Sequence, residues 1–200
     1  GYPESYYTPP AEALDKIEIV RGAASLQYGT QFGGLINFII KKPSQIKGNR
    51  YCIRNTIGTN SFFNNFSSID GSNKTVSYYS FINYKKGDGF RENSNFESTN
   101  GYINIIKNIN KKLTASFEFT SLDYLAKQSG GLNDRMFVED PLQSNRTRNW
   151  FKVNWRLYNL KLKFSQSKNT LHTLSLFGLD AERFSLGYRS NRVNQEDPMN

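Results

Sequence analysis

The sequence is poor in the residues from which most catalytic and metal sites are built. Its 200 residues include a single cysteine, Cys52, and a single histidine, His172. One cysteine excludes an internal disulfide framework and a cysteine zinc site, and one histidine excludes any site that needs two imidazoles. Most metalloenzyme and catalytic-triad chemistry is thereby excluded. We expect no catalytic group, no resident metal and no cofactor, and we predict that the protein is not an enzyme.

Long apolar runs are also lacking. No stretch approaches the roughly 18 consecutive apolar residues of a membrane-spanning helix, and the longest apolar-looking segment, Gly33 to Ile40, is interrupted by Asn37. Aromatic residues nevertheless make up 14% of the chain, which is more than a disordered chain carries. The composition therefore excludes a helical membrane protein and a disordered chain alike.

The charge is positive but dispersed. Lys and Arg number 26 against 17 Asp and Glu, for a formal net charge of +9. No block of five like charges occurs, and nucleic acid is not expected as a partner, because it requires basic residues gathered on one face or helix. The accompanying bias toward Asn, Ser, Lys, Ile, Tyr and Phe is that of AT-rich coding sequence, so a compositional and a functional origin of the charge both remain open.

The two ends of the sequence do not look like the ends of a complete protein. The chain opens at Gly1 with no start methionine and no basic-then-apolar leader, and it stops at Asn200 inside polar sequence. We expect an internal fragment of a longer protein.

The first third predicts a small unit of mixed α and β structure. A helix is expected over 11–16, after a pair of prolines, and one or two helical turns are expected over 23–28. Strands are expected over 17–20 and 35–40, where β-branched and aromatic residues dominate.

From about Asn49 the pattern changes to strands of period two. Between 113 and 120, Leu, Ala, Phe and Phe alternate with Thr, Ser, Glu and Thr. A second run over 151–157 alternates in the same way, but beyond Tyr158 the apolar positions shift by one, which predicts a β-bulge near Asn159. Seven strands are expected in all, over 49–58, 61–70, 74–85, 96–107, 112–125, 149–166 and 170–182.

The connections between these strands alternate between short turns and long loops. Long loops are expected over 85–95 and 126–148, and only the connection near 58–60 is short where a long one would be expected. Tight turns at one end and long loops at the other are typical of an outer-membrane β-barrel, whereas a soluble β-sandwich has no such asymmetry. A soluble half-buried sheet would show the same alternation within its strands, so this prediction depends mainly on the connections.

A glycine-rich motif resembles a known family. Ile-Glu-Ile-Val-Arg-Gly at 17–22 precedes a Tyr-Gly pair at 28–29 and Gly-Gly-Leu-Ile-Asn at 33–37. This order and spacing resemble the end of the plug domain of TonB-dependent outer-membrane receptors, in which glycines let a compact plug turn sharply. Less specific similarity to the ferric dicitrate branch of the family lies in 86–91 and 130–132. The motif residues are Arg21, Gly22, Tyr28, Gly29, Gly33, Gly34 and Asn37.

The resemblance implies a mainly β fold. The C-terminal part of a small α/β plug domain is expected over 1–43, and the N-terminal part of a transmembrane antiparallel β-barrel over 44–200. About seven of the 22 strands of a plugged transporter would be present. The resemblance also implies a location in the bacterial outer membrane, contact with its lipid, and a monomer.

The function that the resemblance implies is TonB-dependent active transport of a ferric chelate. The leading candidate for the cargo is an iron–citrate or other carboxylate siderophore. Iron would then be transported and not held as a cofactor. The TonB complex would supply energy through a TonB box that these residues do not include. Other cargoes (cobalamin, haem or an oligosaccharide) remain open. A passive porin-like binding protein also remains open, although the intact motif argues against it.

Two groups of residues are candidate ligand contacts. Under the resemblance, the opening segment corresponds to a plug loop that faces the external vestibule, where hydroxyl groups could bind a chelate; a packed aromatic loop is the alternative. Arginines in or beside the predicted long loops could bind carboxylates through two hydrogen bonds each; solvated surface arginine is the alternative. The candidates are Tyr2, Glu4, Tyr6, Tyr7, Arg91, Arg135, Arg146, Arg148, Arg183 and Arg189.

Arg21 is a candidate of a different kind. The resemblance implies that it pairs with carboxylates of the barrel wall, either in a contact that responds to TonB or as a plain structural salt bridge. Glu118 faces inward by its position in the alternation and is a possible partner.

Overall fold

The computed structural model describes residues 7–22, 33–187 and 197. Its strands form two separate antiparallel sheets, one of two strands and one of seven. The chain is mainly β, as the sequence predicted. No helix in the described ranges is long and apolar enough to cross a membrane.

The smaller sheet is a hairpin-like pair near the start of the chain. A 3-10 turn over Ala11–Ala13 leads into β1, Leu14–Val20, which pairs with β2, Leu35–Ile40. The helix expected over 11–16 is therefore wrong beyond Ala13, because pairing with β2 holds the following residues extended. The helical turns expected over 23–28 lie outside the described residues.

The larger sheet is a meander in which every strand pairs with the next strand in sequence. All seven strands lie close to their predicted bounds. In order they are β3 (Gly48–Ile57), β4 (Phe63–Ser72), β5 (Val76–Gly87), β6 (Phe96–Asn108), β7 (Leu113–Lys127), β8 (Trp150–Ser165) and β9 (Leu171–Leu186). Consecutive antiparallel strands bring alternate connections to the same end of the sheet.

The two ends of this sheet differ as expected. One end, here called the turn end, carries the short connections 73–75, 109–112 and 166–170. The other, the loop end, carries 58–62, 88–95 and 128–149. The longest connection contains a short helix that the sequence analysis missed, α1, Asp134–Glu139.

The inner face of the seven-stranded sheet is the one against which the N-terminal segment packs. Ala13 is fully buried in a cluster with aromatic side chains of β4, β5 and β6, and Ile40 of β2 packs on the same cluster. Tyr7 contacts Trp155 of β8. Register places these residues of β4 to β8 on one side of the seven-stranded sheet, which we call the wall. The aromatic members of the first cluster are Phe66, Tyr79, Phe81 and Tyr102.

The opposite, outer face has a band without charge, which we call the outer band. Its large apolar side chains are partly exposed although they lie side by side on neighbouring strands. In register, Ile105, Phe117, Leu160 and Leu176 form one row across four strands. The band comprises Val76, Tyr78, Ser80, Ile82, Ile103, Ile105, Leu113, Ala115, Phe117, Phe119, Tyr158, Leu160, Leu162, Phe164, Leu174 and Leu176.

The bulge predicted near Asn159 is wrong. β8 keeps one uninterrupted register with both neighbours along its whole length. The apolar residues change face because the two halves of the strand pack in different surroundings. At the loop end, Phe151 and Trp155 point inward and pack with the inner face, whereas Leu160 and Leu162 at the turn end belong to the outer band.

Candidate functional site

The motif residues that the structure describes lie on the β1–β2 pair or at its end. Glu18 lies directly opposite Asn37, whose Nδ2 donates to Glu18 Oε2 at 3.2 Å. Gly34 has φ +99°, and a Cβ at this position would lie 2.8 Å from the backbone oxygen of Val20. The close approach and the left-handed backbone require glycine. The spacing of the motif thus brings its glutamate and its asparagine together.

Glu18 also binds Lys16 on the same strand. The hydrogen bond and charge of the ammonium group lower the pKa of Glu18 and, reciprocally, raise the pKa of Lys16. Glu18 is therefore ionised at neutral pH and accepts from Asn37 as a carboxylate. Charge-assisted hydrogen bonds of this kind are the stronger ones.

Arg21 and Glu118 form no ion pair with each other, although both lie within the described ranges. Glu118 lies on the inner face, as its position in the alternation predicted. Its two oxygens accept from Asn104 Nδ2 at 3.2 Å and Asn159 Nδ2 at 3.3 Å. The wall itself thus satisfies this carboxylate.

Polar contacts tie the segments around the hairpin to the first strands of the wall. Arg54 of β3 reaches Glu12 at 3.3 Å. The backbone N–H of Ser44 donates to Asp70 Oδ1 at 2.8 Å, and Asp70 also pairs with Arg50. The residues just before β3 are therefore anchored to the inner side of β4.

Tyr7 is the one candidate of the opening segment that the structure describes. Its ring meets Trp155 edge-on, with ring centroids 4.9 Å apart. Its hydroxyl is buried and has no hydrogen-bond partner among the described residues. Burial raises the pKa of Tyr7 to about 12, so the hydroxyl keeps its proton and remains a potential donor. Tyr2, Glu4 and Tyr6 lie outside the described residues.

Arg91, in the connection 88–95, joins that connection to the long loop 128–149. Its Nη1 donates to the carbonyl of Gly130 at 2.8 Å, and its Nε and Nη2 both donate to the carbonyl of Gln143, at 3.2 and 2.8 Å. The backbone N–H of Glu92 adds a bond to the carbonyl of Leu142 at 2.9 Å. The guanidinium group is half-buried, and its N–H groups donate to backbone carbonyls.

Asn93 makes a second connection between the same two segments. It has a positive φ of 50°, and its Nδ2 reaches the carbonyls of Gln128, Arg146 and Asn149 at 2.5 to 3.2 Å. We call Arg91 and Asn93 together the loop clasp. Sequence analysis missed Asn93, although asparagine is one of the few residue types that adopt left-handed backbone.

The other predicted arginines lie around the loop end. Arg135, on α1, is 86% exposed at its side chain and pairs with Glu139 at 2.7 Å. Arg146 and Arg148 lie in the loop 128–149, and Arg183 lies on the inner face of β9 opposite Val153. The structure thus brings four candidate arginines and Tyr7 to the same end of the sheet. Arg189, Tyr28 and Gly29 lie outside the described residues.

Helix α1 has a recognisable start signal. Asn133 caps it, since its Oδ1 accepts from the backbone N–H of Met136 at 2.9 Å. Asparagine before a short apolar stretch is a preferred N-cap. This signal could have revealed the helix that positions Arg135.

A cavity of about 380 Å³ opens on the inner face between β7, β8 and β9. Glu118, Asn159 and Lys161 contribute polar atoms to its lining, and Leu157 and Phe177 contribute apolar ones. Within the described ranges, no three His, Cys, Asp or Glu side chains are arranged to hold a metal ion. The cavity is a mixed polar and apolar pocket of the inner wall.

Comparison with solved structures identifies the fold. The chain is similar to the ferric citrate transporter FecA in its unliganded form, with 20% sequence identity and a TM-score of 0.72 over 88% of this chain. It is also similar to a structure of the FpvAI–pyocin S2 complex, with 14% identity and a TM-score of 0.70 over 84%. A third similar structure is the siderophore receptor PirA from Pseudomonas aeruginosa, with 13% identity and a TM-score of 0.62 over 90%.

These similarities concern part of each larger protein. The chain covers 28%, 23% and 30% of the three structures, respectively. No protein-family model matches the sequence, and no curated protein does. The predicted mainly β fold, an antiparallel sheet that forms part of a β-barrel, is confirmed.

Proposed function

We propose that the chain is the end of the plug and the first part of the wall of an outer-membrane transporter that takes up a ferric chelate. The plug part corresponds to 1–43 and the wall to 44–200. The single observation that carries the proposal is the packing of the motif-bearing segment on the inner face of a sheet whose outer band is apolar and free of charge. A passive pore would leave the inner face to water.

The size of the outer band supports its contact with lipid. On β7 the outward side chains from Leu113 to Ser121 carry no charge. At about 3.4 Å per residue and a tilt of roughly 40°, these residues span roughly 20 Å, close to the apolar band of about 25 Å of outer-membrane barrels. Beyond it, the ion pair of Arg156 and Asp123 marks the return to water.

The loop end supports an anionic ligand. Tyr7, Arg135, Arg146, Arg148 and Arg183 lie there, and guanidinium groups bind carboxylates through paired hydrogen bonds. Two of the similar structures are a ferric citrate transporter and a siderophore receptor, which is consistent with such a cargo. We propose an iron–citrate or another carboxylate siderophore, taken up with energy from the TonB complex.

Within this proposal the loop clasp has a positioning role. Because Arg91 binds the carbonyls of Gly130 and Gln143, it fixes the loop that carries Arg146 and Arg148 before ligand arrives. A loop ordered in advance loses less conformational entropy on binding. Arg91 would then raise affinity without contacting the ligand.

The test is ferric citrate binding to the full-length protein, measured by calorimetry. One exposed ion pair contributes only about 0–1 kcal/mol, so the arginines must act together. Replacing Arg135, Arg146 and Arg183 by Gln should weaken binding at least about tenfold, since about 1.4 kcal/mol corresponds to one decade.

The matched control removes three positive charges at the opposite end, with Lys107, Lys111 and Lys112 replaced by Gln. It should bind ferric citrate like the wild type. Equal affinity of both variants would remove the arginines as ligand contacts. Binding of cobalamin, haem or an oligosaccharide, with no binding of ferric citrate, would replace the cargo and leave the transporter proposal standing.

A further inference from the structure

The net positive charge of the outer face lies at the turn end of the seven-stranded sheet. Five exposed lysines lie in or beside the short turns, and none of them pairs with a carboxylate of the described residues. No outward-facing Asp or Glu of the described strands lies at this end. We call these residues the lysine row: Lys74, Lys107, Lys111, Lys112 and Lys168.

The loop end of the outer face is different, because its charges balance. Lys86 lies directly opposite Glu97, and Arg156 pairs with Asp123 at 3.1 Å. Cations and anions alternate across the strands and neutralise one another. The outward-facing charged residues here are Lys86, Lys127, Lys152, Arg156, Glu97, Asp123, Asp180 and Glu182.

The lysine row follows the edge of the outer band. Lys107 lies on the outer face opposite Val76 and Ala115, one outward position beyond Ile105. The first two turns are closed by asparagine side chains: Asn73 Oδ1 accepts from Val76 N at 2.8 Å and Asn110 Oδ1 from Leu113 N at 2.9 Å. These bonds hold the turns, and with them their lysines, directly below the band.

We propose that the lysine row binds the phosphate groups of anionic phospholipids in the membrane leaflet at the turn end. The proposal rests on the proposed function, which places the outer band in the membrane, and adds a specific lipid partner. Flexible lysine stems can lie along apolar surface while the ammonium groups reach the headgroup region. Each cation near an anionic membrane surface strengthens binding about fivefold.

The arrangement favours lipid over a protein partner. Lys107 shares a register row with Val76 and Ala115 of the outer band, and the other four lysines lie in three successive turns beyond it. A docking site for an acidic protein segment would gather its cations with apolar pockets on the turn-end surface itself. Exposed side chains there are mostly Lys, Asn and Ser.

The test measures lipid preference of the full-length protein by native mass spectrometry in neutral detergent. The probes are dioleoyl-phosphatidylglycerol and dioleoyl-phosphatidylcholine. The wild type should prefer phosphatidylglycerol, and added salt should reduce this preference. Replacing Lys107, Lys111 and Lys112 together by Gln should lower the ratio of the two affinities at least fivefold.

The control replaces Lys86, Lys127 and Lys152 by Gln, which removes the same charge among carboxylates. Its lipid preference should change less than twofold. Equal losses in the two variants, or a wild type indifferent to headgroup charge, would overturn the proposal. So would full displacement of phosphatidylglycerol by inorganic phosphate, or release of bound lipid by a periplasmic protein that needs the same lysines.

Failure of this inference can be told apart from failure of the proposed function. Both lysine variants should fractionate with the outer membrane and retain a heat-modifiable band on gels. If they do so but the wild type shows no preference for phosphatidylglycerol, the lysine row proposal falls alone. If the wild type itself lacks a heat-modifiable band, the membrane-barrel proposal falls as well.

Discussion

Gly34 and its neighbour Gly33 differ in whether a side chain could be accommodated, so mutating each of them gives a matched comparison. Gly34 has a left-handed φ of +99° and lies against the carbonyl of Val20, whereas nothing lies within 4 Å of a Cβ at Gly33. Gly34→Ala should destabilise the β1–β2 pair by about 1–3 kcal/mol, and Gly33→Ala should have little effect. Hydrogen exchange of the strand amides in the full-length protein measures the difference. Similar exchange in both variants would contradict this account of the motif.

Arg91 offers a second test at the level of one side chain. Arg91→Ala removes three hydrogen bonds to the carbonyls of Gly130 and Gln143. Hydrogen exchange in 128–149 should rise, and ligand affinity should fall as a consequence. Arg135→Ala on the same loop is the control, because Arg135 pairs with Glu139 on its own helix, and exchange there should change little. Unaltered loop exchange in Arg91→Ala would exclude the positioning role.

At the residue scale, the sequence predicted candidates better than it predicted their contacts. Motif spacing identified Gly34 and Asn37, and the structure supplied the physical reason in a close backbone approach and a cross-strand hydrogen bond. The bonds of Arg91 could not be predicted, because they join segments about 40 to 50 residues apart. Sequence periodicity carries no information on such contacts between loops.

Among the strands, adjacent residues of β7 separate the two faces cleanly. Phe119 belongs to the outer band and contacts Tyr158, with ring centroids 5.2 Å apart. Thr120 lies on the inner face and lines its cavity. Phe119→Arg should lower the stability of the folded barrel by about 2–4 kcal/mol if it faces the bilayer midplane, and Thr120→Arg should cost much less. Urea titration of the full-length protein in lipid vesicles gives both values.

Two results of the comparison between Phe119→Arg and Thr120→Arg would contradict this account. Equal stability of the two variants would mean that the outer band does not face lipid. A larger loss for Thr120→Arg would mean that the two faces have been assigned the wrong way round.

β8 shows why the bulge predicted near Asn159 was wrong. A shift of apolar positions near Tyr158 can come from a bulge or from a change of environment along a regular strand. Periodicity alone does not distinguish the two, because a one-residue slip and a change of the apolar face give the same pattern. The inner face packs Trp155 at one end and the outer band exposes Leu160 at the other, so the environment changes and the register does not.

Residues 1–200 as a whole should not behave as a soluble domain. Within the described residues, both edge strands of the seven-stranded sheet, β3 and β9, lack a second neighbour, and the outer band adds a broad apolar surface. Long unpaired edges are sites of aggregation. We expect residues 1–200 expressed alone to form inclusion bodies, which a sedimentation assay of the lysate would reveal. A soluble monomer with a cooperative thermal transition would contradict the open-sheet account.

The central claim, energy-coupled uptake of a ferric chelate, is tested most directly by iron accumulation in cells. Cells whose only outer-membrane iron receptor is the full-length protein would receive radioactive iron as ferric citrate, with and without an uncoupler. We predict saturable accumulation that the uncoupler abolishes, because movement of the plug requires energy from the inner membrane. Accumulation that rises linearly with concentration and ignores the uncoupler would contradict the account and indicate a passive pore.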